Sequence, residues 1–282
     1  MAVTVLVNGE PTFHVNISDR GFQYGDGVFT TLSVRQGVPL FLGLHLQRLE
    51  RDCERLFLPF PERETLIREA LVLCAARPNG VLKIQLTRGS GGRGYRCPEP
   101  AQGTRALSIH PPPDYPASLD REGVEARVCR TRLGINPELA GIKHMNRLEQ
   151  ILARFEWPLG EIREGLMLDT EGHVTEGTMS NLFLAKHGVV HTPKLDLCGV
   201  AGVARGLVMA AAGELGLAVE ERRITLDEVY SADEMFLTNS VIGLWPIRQL
   251  ERRNYPVGPI TREARRWLAK KILEESAAAF TG

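Results

Sequence analysis

Apolar residues along this chain follow two spacings, one typical of strands and the other of helices. Residues 28–35 are rich in β-branched side chains and are followed by Gln36-Gly37, a pair typical of a tight hairpin turn. Leu46, Leu49 and Cys53, by contrast, recur at the spacing of a helix with one buried face. The same criteria predict strands over residues 3–7, 28–35, 38–42, 81–87, 105–110, 123–130, 164–168 and 234–238, and helices over residues 45–56, 62–76, 146–155, 206–215 and 262–279.

A proline-rich stretch divides this series of elements. Residues 111–116 carry Pro at four of six positions, a composition that is stiff and turn-prone. We therefore predict a smaller N-terminal domain over residues 1–110, a linker over 111–120 and a larger C-terminal domain over 121–282. The predicted fold class is mixed α/β (α+β), since strands and helices occur on both sides of the linker.

Composition limits the classes of partner and compartment. A chain of 282 residues is long enough to bury a sizeable core, and its 34 basic and 34 acidic side chains cancel. This balance gives no support to a nucleic acid or an anionic membrane as partner. Five scattered cysteines without a C-x-x-C pair suggest reduced thiols. With neither a basic leader nor an apolar run of about 20 residues, we expect a soluble cytoplasmic protein.

Four segments are candidates for chemistry. They are Asp19–Thr31, Thr87–Tyr95, Gly141–Gln150 and Val174–Phe183. Alone, each has an ordinary interpretation, because most charged side chains are solvated at the surface. In this order, however, they resemble segments of the fold-type IV pyridoxal phosphate enzymes, the class IV aminotransferase family, and most of all its aminodeoxychorismate lyases. The resemblance covers nearly the whole chain and implies the two-domain architecture of the D-amino-acid aminotransferases, a cofactor between the domains and a homodimer.

The resemblance implies pyridoxal 5′-phosphate as cofactor, attached at Lys143. This lysine stands in a Gly-x-Lys-x-x-Asn pattern, and in the family its amine both binds the cofactor and later moves a proton. Burial near other cations would favour the neutral amine that these roles need. Glu176, at the end of a predicted strand, turn and strand over residues 169–176, is implied to face the pyridine nitrogen and keep it protonated.

Three pieces of the chain are suited to the cofactor's phosphate. A guanidinium makes charge-assisted hydrogen bonds to phosphate oxygens, and a Gly-rich helix start offers free backbone N–H groups. Thr238-Asn239-Ser240 ends a predicted strand and offers a hydroxyl. By resemblance, the phosphate positions are Arg48, the amides of Val203 and Ala204, and Ser240, while Tyr24 lines the ring side of the site.

The Gly-rich segment after residue 87 is the candidate for substrate recognition. Arg88, Arg93 and Tyr95 lie on it, and two arginines there suit a small molecule with two carboxylates. D-amino-acid aminotransferases usually carry Arg-x-His where this chain has Arg93-Gly94-Tyr95. Branched-chain aminotransferases usually carry Tyr five residues after the lysine, where this chain has Leu148. By resemblance to the lyases, Thr31 lies near the leaving group, although it is also an ordinary strand residue.

The expected activity is therefore a lyase of folate biosynthesis that converts 4-amino-4-deoxychorismate to 4-aminobenzoate and pyruvate. A transaminase of the same family, acting on D-amino or branched-chain amino acids, is the first alternative, because its early steps are the same. A cofactor-free binding protein on this scaffold is the second. Loss of Lys143 or Glu176 would favour it, and both residues are present.

Overall fold

The computed structural model of the protein describes residues 3–158 and 160–278. Helices and strands are interspersed along the chain, which confirms the mixed α/β fold class. The chain forms two compact units. The first comprises Met1–Pro113, Lys143–Asn146 and Ile272–Gly282, and the second comprises Asp114–Ile142 and Arg147–Lys271.

The first unit is built on a five-stranded antiparallel sheet in the order β1-β5-β4-β2-β3. Alternate residues of its strands, such as Leu32 and Ile84, are fully buried, as are Leu46, Leu49 and Leu73 of the two long helices. These side chains form the unit's core. The elements are β1 (Val5–Val7), α1 (Arg20–Tyr24), β2 (Gly27–Arg35), β3 (Val38–Pro39), α2 (Leu42–Arg55), α3 (Arg63–Ala76), β4 (Gly80–Thr87) and β5 (Thr104–His110).

The hairpin predicted at Gln36-Gly37 is confirmed, and both residues have positive φ, at 52° and 83°. Such a turn matches the twist of the two strands that it joins. The strand predicted over residues 38–42 is wrong beyond Pro39. Phe41 adopts a left-handed φ of 54° and α2 begins at Leu42, so the apolar residues there enter a helix.

Lys143–Asn146 joins the first unit through backbone hydrogen bonds to β2. Phe29 N–H donates to Lys143 O at 3.0 Å, and Met145 N–H donates to Gly27 O at 2.9 Å. The segment therefore lies beside β2 as a short added strand. The predicted domains were continuous ranges with Lys143 in the C-terminal one, whereas these bonds group the lysine with the N-terminal part of the chain.

The second unit is built on a ten-stranded sheet in the order β11-β10-β9-β13-β14-β6-β7-β8-β12, with β15 paired to β14. Its core includes Leu166, Leu182, Leu237, Trp245 and Ile247. The elements are α4 (Leu119–Glu122), β6 (Val124–Leu133), α5 (Leu148–Arg154), β7 (Ile162–Asp169), β8 (His173–Gly177), β9 (Asn181–Lys186), β10 (Val189–Pro193), α6 (Val203–Leu215), β11 (Val219–Arg222), β12 (Ile224–Thr225), α7 (Leu226–Tyr230), β13 (Glu234–Asn239), β14 (Gly243–Leu250), β15 (Arg253–Asn254) and α8 (Pro259–Ala278), whose residues from Ile272 onward belong to the first unit.

Most predicted elements of this unit are confirmed within a few residues, but the strands from β9 to β12 and β14 were not predicted. Five of the six residues of β9 are buried, so it lacks the alternation of a half-exposed strand. The predicted helix over 262–279 begins earlier, at Pro259, a residue suited to the first turn. Its predicted last residue, 279, lies outside the described residues. Among the described residues, no helix is both long and apolar enough to cross a bilayer.

Candidate active site

Lys143 is held through its backbone and lies beside an aromatic ring. Its N–H donates to Asp52 Oδ2 at 3.1 Å, and its carbonyl oxygen accepts from Phe29 N–H. Asp52 is fully buried on α2. The Lys143 Nζ lies 4.6 Å from the centroid of the Phe29 ring, a contact that attracts an ammonium group. The sheet and α2 thus fix where this lysine leaves the backbone.

Arg48, the predicted phosphate ligand, lies close to Thr30 of β2 and His45 of α2. Arg48 Nη2 donates to Thr30 Oγ1 at 2.6 Å, and His45 Nδ1 lies 2.5 Å from the same oxygen. Burial lowers the pKa of His45 well below 6.5, and the charges of Arg48 and Lys143 act in the same direction. Burial also lowers the pKa of Arg48 to about 10. At pH 7, then, His45 is neutral and Arg48 is charged.

Thr31 lies on the opposite face of β2 from Thr30, as side chains of successive strand residues do. It pairs with Lys83 of β4, and the Lys83 Nζ lies 5.2 Å from the centroid of the same Phe29 ring. Burial lowers the pKa of Lys83. Within the described part of the chain, no carboxylate pairs with it. Two ammonium groups therefore approach one ring, beside the predicted catalytic threonine.

Arg88, a predicted substrate ligand, is instead bound to the protein. Its guanidinium makes two hydrogen bonds to the Asp26 carboxylate and one each to the carbonyl oxygens of Leu56 and Phe57. Its side chain is 9% exposed. An arginine has five N–H groups, so at most one remains for another partner. This arrangement differs from the expectation that Arg88 pairs with a substrate carboxylate.

Arg20 anchors the Gly-rich segment to Asp26. Its Nε donates to Asp26 Oδ2 at 2.8 Å, and its other nitrogens donate to the carbonyl oxygens of Gly94 and Tyr95. Burial raises the pKa of Asp26, but the hydrogen bonds from Arg88 and Arg20 outweigh it and lower the pKa. The rings of Tyr24 and Tyr95 meet edge-on at 5.7 Å.

The tip of the Gly-rich segment is at the surface. Tyr95 is 85% exposed and Arg93 is also exposed. Of the two arginines predicted to bind substrate, the structure thus places Arg93 where its guanidinium meets solvent. Arg20 was not predicted, although it stands within the candidate segment Asp19–Thr31.

Glu176, in the second unit, is buried at the end of β8. Its Oε2 accepts a hydrogen bond of 2.8 Å from Val200 N–H. The loop that carries Val200 passes close by because Gly199 has a left-handed φ of 85°. A Cβ at Gly199 would lie 2.8 Å from side-chain atoms of Leu195 and Thr175, so a larger residue there would push the loop away from Glu176.

The same loop leads into α6, whose N-terminus includes the predicted amides of Val203 and Ala204. Gly202 is the N-cap and supplies no side-chain hydrogen bond to the helix. A Cβ at Gly202 would lie 2.2 Å from Asn181 Oδ1, so the close packing requires glycine. The uncapped start of a 13-residue helix is suited to an anion. Ser240, the predicted hydroxyl ligand, follows β13 and is partly exposed.

The sequence matches the family described as "Amino-transferase class IV" over residues 27–250, most of its length. The chain belongs to the class IV aminotransferase family. The aminodeoxychorismate lyase of Vibrio harveyi is 38% identical over 261 residues, covering 91% of this chain and 96% of the relative. A crystal structure of 4-amino-4-deoxychorismate lyase from Pseudomonas aeruginosa matches with a TM-score of 0.91 and 45% identity, covering 94% of this chain and 98% of that one. The branched-chain-amino-acid aminotransferase of Pseudomonas aeruginosa is 32% identical, covering 85% of this chain and 82% of the relative.

One further residue of this class IV chain was missed by sequence reasoning. Glu164 of β7 is fully buried and organises the turn between β8 and β9. Its oxygens accept from the hydroxyl groups of Thr178 and Ser180 and from backbone N–H groups, including that of Thr178 at 3.0 Å. The turn begins two residues after Glu176, so Glu164 supports the strand end that carries that carboxylate.

Proposed function

We propose that this class IV chain is a lyase that converts 4-amino-4-deoxychorismate to 4-aminobenzoate and pyruvate. The observation that carries the proposal is the likeness to the Pseudomonas aeruginosa lyase, at 45% identity and a TM-score of 0.91. Identity to the branched-chain aminotransferase is lower, at 32%. The residues that distinguish this chain from dedicated transaminases, Tyr95 and Leu148, favour the same choice.

Pyridoxal 5′-phosphate fits the donor set. Lys143 offers an amine, Glu176 a buried carboxylate for the ring nitrogen, and Arg48 a buried cation for the phosphate. The tight packing of Gly202 on Asn181 leaves the start of α6 without a side-chain cap, as an anion site requires. Besides these, the residues proposed to hold the cofactor are Val203, Ala204, Ser240 and Tyr24. When bound, the cofactor supplies an electron-withdrawing ring that stabilises negative charge on a substrate carbon.

The proposed catalytic groups of the protein are Lys143 and Thr31. The Lys143 Nζ removes the proton from the carbon that bears the substrate nitrogen. The Glu176 carboxylate would hold the proton on the ring nitrogen of the bound cofactor. Thr31 Oγ1 offers a hydrogen bond to the enolpyruvyl oxygen as its bond to the ring carbon breaks. The six-membered ring of the product becomes aromatic, so the elimination is effectively irreversible.

The two carboxylates of the substrate need cationic partners. At the exposed tip of the Gly-rich segment, we propose Arg93 as one cation and Tyr95 as a hydroxyl donor beside it. Lys83, which shares a sheet face with Thr31 and the ring beside Lys143, is the second cation that we propose. Arg88 contributes indirectly, because it fixes Asp26 and hence the base of the segment. This assignment divides the predicted substrate residues into direct and supporting ones.

A homodimer in the cytoplasm accompanies this proposal, as it does for the family that the sequence resembles. Light scattering of the purified protein tests it, and a mass of one chain at micromolar concentration would contradict the dimer.

The test of function compares two activities in one preparation. The protein is incubated with pyridoxal 5′-phosphate and enzymatically generated 4-amino-4-deoxychorismate, and 4-aminobenzoate and pyruvate are both measured. We expect equal, enzyme-dependent amounts of the two products. In parallel, D-alanine or L-leucine is supplied with 2-oxoglutarate. Conversion of these amino acids without release of 4-aminobenzoate would assign the chain to the transaminases instead.

A further inference from the structure

Thr30 connects two side chains of α2 in the interior of the first unit. Its Oγ1 lies 2.6 Å from Arg48 Nη2 and 2.5 Å from His45 Nδ1. Thr30 and His45 are fully buried, and Arg48 is 7% exposed. Neither Thr30 nor His45 has a role in the chemistry proposed above, so this buried group needs its own explanation.

The chemistry of the guanidinium fixes the direction of the hydrogen bond between Arg48 and Thr30. A guanidinium only donates, so Thr30 Oγ1 accepts from Arg48 and keeps its own hydrogen. That hydrogen can be donated to His45 Nδ1 when the neutral ring carries its own proton on Nε2. The pKa of His45, held well below 6.5 mainly by burial, agrees with this state.

The His45 ring has a single polar contact among the residues that the structure describes. Its Nδ1 meets Thr30, while its buried Nε2 has no hydrogen-bond partner there. The one polar contact of the buried imidazole is therefore with the Thr30 hydroxyl. Because Arg48 donates to the same hydroxyl, His45 orients Thr30, and Thr30 in turn orients Arg48.

We infer that Thr30 and His45 are positioning residues for a phosphate monoester bound at Arg48. A guanidinium recognises phosphate through two parallel N–H groups, so its plane must be fixed for both to reach their oxygens. Thr30 fixes that plane by accepting from Nη2, and neutral His45 fixes the hydroxyl of Thr30. The inference rests on the proposed role of Arg48 toward the cofactor.

Positioning of Arg48 and a purely structural role for these hydrogen bonds predict different effects on ligand binding. A structural network would affect all ligands of the site equally when it is broken. Positioning residues for Arg48 affect the phosphate and leave the aldehyde and ring of the cofactor untouched. Pyridoxal 5′-phosphate and pyridoxal differ only in that phosphate, so the ratio of their dissociation constants isolates the effect.

The experiment titrates the full chain, freed of cofactor, with each compound and follows absorbance. Thr30→Val keeps the shape and removes the hydroxyl. We expect it to raise the Kd for pyridoxal 5′-phosphate about tenfold, the size of one lost hydrogen bond to a charged group. The Kd for pyridoxal should stay within about twofold. Thr30→Ser should restore the wild-type ratio. Thr192→Val, which removes another fully buried threonine hydroxyl, is the matched control and should leave the ratio unchanged.

A second pair of variants keeps the test decisive if Thr30→Val does not fold. His45→Asn retains an acceptor near the place of Nδ1 and should preserve the ratio, whereas His45→Leu should raise the Kd for pyridoxal 5′-phosphate relative to the Kd for pyridoxal. Equal weakening of both compounds, or no change in the ratio, would overturn the inference. The measurement uses no lyase turnover. If the protein binds pyridoxal 5′-phosphate more tightly than pyridoxal but releases no 4-aminobenzoate, only the proposed reaction is refuted. If it binds the two compounds equally, the inference itself is refuted.

Discussion

Arg88 and Asp26 form a two-pronged ion pair, with Arg88 Nε 2.8 Å from Oδ2 and Nη2 3.0 Å from Oδ1 of Asp26. Arg20 reaches the same carboxylate, so two arginines from separate segments meet at one acid. The pair lies at the base of the Gly-rich segment, whereas Arg93 lies at its exposed tip. The two arginines of one motif therefore have different surroundings.

Replacement of these arginines should separate stability from substrate binding. Arg88→Ala leaves Asp26 with one partner and two carbonyl oxygens without theirs, so we expect a free energy of unfolding lower by about 3 kcal/mol. Arg93→Ala, at the exposed tip, should leave stability unchanged and raise KM. Denaturant unfolding and steady-state kinetics measure the two effects. Unchanged stability in Arg88→Ala would show that the pair does not organise the segment.

Lys83 should contribute to substrate binding through its charge. Lys83→Met is expected to raise KM about tenfold, the size of one charge-assisted contact, with little change in stability. Lys83→Arg should retain most of the affinity. Because burial lowers the pKa of Lys83, wild-type KM should rise with pH earlier than an ordinary lysine would allow. Lys194→Met removes a lysine paired to Asp196 and serves as the control. A KM that is insensitive to Lys83→Met would place substrate recognition elsewhere.

Glu164 should be important for stability although no chemistry is assigned to it. Glu164→Gln replaces one carboxylate oxygen, which accepts hydrogen bonds, by an NH2 group, which can only donate. We expect a loss of about 2 kcal/mol in the free energy of unfolding and weaker cofactor binding, because the turn after Glu176 shifts. Glu171→Gln, at a side chain 59% exposed, is the matched control and should be neutral. Equal stabilities of the two variants would contradict the role of Glu164.

His45 should make the protein less stable in acid. Its pKa is well below 6.5 in the folded chain and about 6.5 in the unfolded chain. The unfolded state therefore binds more protons below pH 6.5. The contribution of neutral His45 to the free energy of unfolding is fully present above that pH. It falls as pH decreases, by up to about 1.4 kcal/mol per pH unit. His45→Asn should flatten the decline between pH 6.5 and 5. Parallel profiles for the two proteins would show that His45 is not buried in its neutral form.

Sequence alone singled out Lys143, Arg48 and Glu176 as candidates, because each stands in a segment with a distinctive order of residues, and their roles stay predictions. It gave no sign of the contacts that Arg88 makes within the protein, since the partners of its guanidinium, Asp26, Leu56 and Phe57, lie some 30 to 60 positions away in the chain. Tertiary contacts of this kind leave no local pattern.

The adjacent threonines of β2 illustrate a second limit. Strand alternation requires Thr30 and Thr31 to lie on opposite faces but does not say which faces α2. The structure resolves this choice by placing Thr30 against His45 and Arg48. In the same way, β9 is buried along nearly its whole length, so no alternation marked it as a strand.

The central claim is that Lys143 is the amine that binds the cofactor. Reduction of the protein with borohydride after loading with pyridoxal 5′-phosphate fixes the cofactor to its lysine, and peptide mass spectrometry then locates it. We expect the label on Lys143 and no label in Lys143→Ala. Label on Lys83, whose ammonium approaches the same Phe29 ring, or on any other lysine would contradict it.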